Sequence, residues 1–82
     1  MPAPVLDVAS QVDARGLSCP MPIVKTALAV KQVPSGALVE LLATDPGSEK
    51  DVVAWCRSTG NDLVEHSMDP ATAIYRYLIR RK

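Results

Sequence analysis

The chain has 82 residues, 48 % of them hydrophobic, and its nine Lys and Arg balance nine Asp and Glu to a formal net charge of zero. That length suits one domain with a modest core, burying roughly 60–65 % of its unfolded surface, and a neutral chain lacks the global field that draws proteins to nucleic acid or anionic membranes. Two cysteines and one histidine are too few for a stapled secreted scaffold, and no zinc-ligand spacing is present.

"MPAPVLDVAS" has neither the basic start nor the apolar run of a signal peptide. Residues 1–9 read as a loose N-terminal segment, and residues 10–82 as a single domain. Broken alternation up to Gly16 predicts a first strand over Ser10 to Ala14. Ile23, Val24, Ala27 and Leu28 then fall on one helical face, predicting a helix from Pro20 to about Gln32 that "VPSG" ends. "ALVELLAT", Ala37 to Thr44, reads as a largely buried strand.

"DPGSEKDVVAWCRSTG" predicts a second helix, with Asp45 as N-cap, Pro46 at the first helical position and Gly60 as the stop. Its inward face is Val52, Val53, Cys56 and Thr59. "NDLVEHSM" and "AIYRYLIRRK" are two more strands around the turn "DPAT". In the last, Tyr75, Tyr77 and Ile79 share one side, and Arg76 and Arg80 the other. The order βαβαββ predicts a two-layer α/β sandwich, a four-stranded mixed sheet with two helices on one face.

Cys19 stands between Gly16 and two prolines, Pro20 and Pro22, with Met21 between them. With Pro20 opening the helix, Cys19 falls at the N-cap, and its thiolate faces the positive end of the helix dipole. A thiol pKa below the roughly 8.5 of free cysteine is the expectation, with Arg15 and Lys25 adding to it if their side chains fold back. A buried structural cysteine at a tight turn is the plain alternative. A Cys/His dyad has only His66 to draw on, and a disulfide cycle would require Cys56 to be exposed rather than in the core.

"DARGLSCPMPIVK", Asp13 to Lys25, resembles the Cys-Pro-x-Pro signature of the TusA/SirA-like sulfur-carrier family. "ATDPGSEKDVVAWC" and "YRYLIRRK" resemble that family's second-helix entry and last strand, so the likeness runs from about Val12 to Lys82. The resemblance implies a sulfurtransferase that carries sulfane sulfur as a persulfide on Cys19, with no cofactor and no metal. Gly16, Pro20, Met21 and Pro22 are then the residues that shape the site. Asp13, Arg15, Lys25, Arg76 and Arg80 are candidate docking residues. The implied partners are a sulfur donor (a cysteine desulfurase or a rhodanese) and a downstream acceptor in tRNA thiolation, sulfur oxidation or cofactor sulfuration. A cytoplasmic setting is expected, with no membrane and no stable nucleic-acid partner. A regulatory module that binds protein or RNA without catalysis remains the competing reading. It predicts that Cys19→Ser leaves function intact.

Overall fold

A computed structural model describes residues 8–82. The expected loose segment therefore lies mostly outside the described residues, and its last two members, Val8 and Ala9, belong to the first strand. The elements are β1 (Val8–Ala14), α1 (Met21–Lys31), β2 (Leu38–Ala43), α2 (Ser48–Thr59), β3 (Asp62–Asp69) and β4 (Ile74–Arg80). The sheet order is β1-β2-β4-β3. β1 and β2 run parallel, joined through α1, and β4 is antiparallel to both β2 and β3. This is the mixed four-stranded sheet and βαβαββ order that the sequence pattern predicts.

The core lies between sheet and helices. Val12 and Ala14 of β1, Val39, Leu41 and Ala43 of β2, and Tyr77 and Ile79 of β4 pack with Val30 of α1 and Val52 and Cys56 of α2. Each fully buried aliphatic side chain of this kind contributes about 1.5–3 kcal/mol relative to exposure. Alternation in β4 holds as expected for Tyr77 and Ile79, yet Leu78 on the opposite face is buried as well. In the register Leu78 is flanked by Glu40 and Glu65. Arg76 pairs with both of those carboxylates.

Helix ends differ from expectation in one way that matters for function. Gly47, not Asp45, is the N-cap of α2, and Ser48 is its first residue. The Asp45 carboxylate is engaged elsewhere, by the Cys19 N–H, while the Asp45 carbonyl accepts from Ser48 N. Gly60 ends α2 as expected, in the left-handed conformation at φ 80°, where glycine carries no Cβ penalty. Deeper in, Ser48 and Tyr77 share a 2.7 Å hydroxyl–hydroxyl bond that ties the first turn of α2 to the central strand β4.

Candidate functional site

Cys19 lies on the turn between β1 and α1, at the carboxyl ends of the parallel strands β1 and β2. α/β sheets form their sites at this end, because the loops leaving adjacent parallel strands converge there. Gly16 makes the turn possible. Its φ is +80°, a region that residues with a Cβ rarely enter. Its N–H donates to Thr44 Oγ1 at 2.8 Å, joining the turn to the end of β2. Leu17 N closes the turn on Ala14 O at 3.2 Å. The expected turn role of Gly16 is therefore met by two hydrogen bonds and a backbone angle.

Cys19 is exposed but is not the N-cap. Pro20 holds that position, α1 starts at Met21, and the Cys19–Pro20 peptide is cis. Met21 N is already paired with Ser18 O, and Val24 N with Pro20 O. The Cys19 side chain does not cap α1: its Sγ donates to Asp51 Oδ2 in the first turn of α2. The backbone N–H of Cys19 donates to Asp45 Oδ2 at 3.1 Å. Residues 26 and 32 positions away thus clasp the cysteine from the β2–α2 side.

This clasp reverses the expected acidity. The thiol is pushed up to about 11, first by its hydrogen bond to Asp51, then by partial desolvation and by the negative charges of Asp51 and Asp45. A carboxylate in direct contact outweighs a helix dipole worth about half an elementary charge. Arg15 and Lys25 do not fold back to oppose it. Arg15 forms a two-pronged pair with Asp13, at 2.8 and 2.9 Å, and Lys25 Nζ leans on the Asp13 carbonyl at 3.4 Å. That pairing pulls the Asp13 carboxyl down to about 2.

The other singled-out residues fall into clear places. Pro22 is buried, anchoring the start of α1, while Met21, Val24 and Leu28 form an exposed apolar stripe along the helix beyond Cys19. Cys56 is buried in the core with Val52, as its spacing predicts, and burial pushes its thiol up to about 11. His66 stacks on Tyr77 and lies 3.8 Å from Glu49; no group of His, Cys, Asp and Glu among the described residues is arranged to hold a metal. The basic cluster at the C-terminus separates in three dimensions. Arg76 and Arg80 face away from the helices and pair with Glu40, Glu65 and Asp62, while Arg81 turns to the Val33 carbonyl at the end of α1. Sequence reading missed Asp51. Its only signal there was its place in the first turn of a helix whose preceding loop follows the strand beside β1.

Comparison with known proteins supplies the family. The family model described as Sulfurtransferase TusA matches residues 10–81. The chain belongs to the TusA sulfurtransferase family. Among its TusA-family relatives is a protein of Allochromatium vinosum named sulfur carrier protein TusA, 36 % identical over 75 residues, covering 92 % of this chain and 96 % of that one. A putative sulfur carrier protein of Halobacterium salinarum is 37 % identical over 76 residues, covering 92 % and 91 % of the two chains. YrkI of Bacillus subtilis, also named a putative sulfur carrier protein, is 48 % identical over 56 residues, 68 % of this chain and 75 % of that one. A SirA-like protein of Desulfitobacterium hafniense shares the fold, with a TM-score of 0.77 at 19 % identity over 87 % of this chain and 95 % of the other.

Proposed function

We propose that this chain is a sulfur carrier that takes up sulfane sulfur as a persulfide on Cys19 and passes it to the thiol of a partner protein. One observation carries this reading beyond family membership: Cys19 is exposed on the turn between β1 and α1, with the other cysteine buried. Persulfide transfer needs an accessible sulfur and a sulfur-bearing partner, and neither a metal nor a second thiol on the same chain.

The exposed stripe of Met21, Val24 and Leu28 adjoins Cys19 and offers an apolar seat for the donor and the acceptor in turn. Asp13, Arg15 and Lys25 are grouped beside it and supply charge at its rim. Arg76 and Arg80 lie on the opposite face of the sheet, where they would serve a separate contact. The donor classes that fit are cysteine desulfurases and rhodaneses, and the acceptors belong to tRNA thiolation or sulfur oxidation. The reduced thiol suits the cytoplasm. Among the described residues no helix is long and apolar enough to cross a membrane.

Incubation with a desulfurase and cysteine, or with a rhodanese and thiosulfate, tests the reading by intact-mass measurement. The protein should gain the mass of one sulfur atom on Cys19, lose it to dithiothreitol, and never gain it as Cys19→Ser. Unchanged mass with donors of both classes overturns the proposal.

A further inference from the structure

The contact between Cys19 and Asp51 has a chemical direction. Sγ is the donor and Asp51 Oδ2 the acceptor, so the proton that must leave Cys19 when sulfur is loaded already points at a carboxylate. Asp51 is held for this by its place in the first turn of α2. That turn is pinned to β4 through Ser48 and Tyr77, and to the cysteine loop through Asp45. Among the described residues, the charges that raise the thiol are those of Asp51 and Asp45, while Arg15 and Lys25 are occupied at Asp13.

We propose that Asp51 is a catalytic residue of sulfur transfer, the group that removes the Cys19 proton as the persulfide forms and returns it as the sulfur leaves. The inference rests on the carrier reading above. In loading, Cys19–SH and a donor persulfide, R–S–SH, become Cys19–S–SH and R–SH. The Sγ lone pair attacks the terminal sulfur of the donor, and the Sγ–S bond forms. The donor S–S bond breaks with its electron pair on the donor's inner sulfur. The Sγ proton passes to Asp51 Oδ2 and from there to the departing donor thiolate. The moving sulfur stays at the sulfane level, so no oxidant or reductant enters. By microscopic reversibility Asp51 protonates Sγ when an acceptor takes the sulfur.

A carboxylate is a weak base toward a resting thiol, and the same contact that aims the proton also keeps the empty carrier protonated. The balance changes during attack. As Sγ commits its lone pair to the new S–S bond, its remaining proton becomes strongly acidic, and a carboxylate already in contact is then a competent acceptor. Proton transfer by a positioned side chain in this way is worth about 10²–10⁴-fold in rate.

The two consequences of Asp51 have opposite signs, and the test uses both. Asp51→Asn keeps the shape of the side chain and removes its charge and basicity. Cys19 in Asp51→Asn should react faster than wild type with iodoacetamide at neutral pH, because alkylation uses the preformed thiolate and a repelling charge is gone. Loading from excess glutathione persulfide, followed by acid quench and intact mass, should instead slow by about 10²-fold. The solvent deuterium isotope effect on wild-type loading should vanish in the variant, and Asp51→Glu should restore part of the rate. Far-UV circular dichroism checks that each variant is folded, and Asp51→Ala serves as a second probe of loading. A role confined to electrostatics or to shape predicts that loading keeps pace with alkylation or rises with it. That result overturns the inference while leaving the carrier reading intact. Wild-type protein that accepts no sulfur from any donor overturns the carrier reading, and this inference with it.

Discussion

Tyr77→Phe removes one hydroxyl from a pair that has no access to water. Ser48 is fully buried and Tyr77 is 1 % exposed, and their 2.7 Å bond is the polar tie between β4 and the start of α2. Deleting the phenol oxygen leaves Ser48 Oγ without its partner, at a cost of about 1–3 kcal/mol for a stranded buried hydroxyl. In a chain of this length that lowers Tm by roughly 5–20 °C. Ser48→Ala strands the Tyr77 hydroxyl in the same way, partly offset by alanine's better helix propensity. The double variant strands neither group, so its loss should fall short of the sum of the singles by about 1 kcal/mol. Urea denaturation followed by circular dichroism measures all four corners of the cycle. Additive losses, or a Tyr77→Phe cost below about 0.5 kcal/mol, would refute the account, since that is the range of surface substitutions with no buried partner. Because Asp51 lies on the same turn of α2, both single variants should also slow sulfur loading before they unfold the protein.

Three further outcomes concern the buried and titrating groups. Cys56→Ala should cost about 1 kcal/mol, the scale of a small buried group lost from a packed core, and should leave loading of Cys19 unchanged. Cys56→Asp should unfold much of the protein, because an unpaired charge would enter the core, and native Cys56 that labels freely would contradict the burial. The folded state holds the protons of both thiols more tightly than the unfolded chain does, with both pushed up to about 11, and burial pushes the Tyr77 phenol up as well. Their contribution is present below the unfolded thiol pKa of roughly 8.5 and is lost as the pH climbs toward 11. Urea midpoints should therefore fall between about pH 8 and about pH 10.5, and fall less in Cys56→Ala; a flat profile would count against it.

Much of this protein is decided by neighbours along the chain. Gly16 has to bend the turn because its φ is positive, Gly60 ends α2 for the same reason, and helical spacing places Cys56 beside Val52 in the core. The six elements and their order follow from such local patterns, and so does the prominence of Cys19. The charge that acts on that cysteine is a different matter. Asp45 and Asp51 reach it from 26 and 32 residues away, brought there by the parallel register of β1 on β2 and by the crossover that starts α2 at the same end of the sheet. From the sequence, the nearby features are a helix start, Arg15 and Lys25, which together predict an acidic thiol. Tertiary structure ties both cations to Asp13, moves the N-cap to Pro20 and sets two carboxylates against the sulfur. Helix periodicity is a short-range property that residues in sequence can encode visibly. The electrostatic field at a point is a sum over everything near it in space, and only the folded chain determines which charges those are.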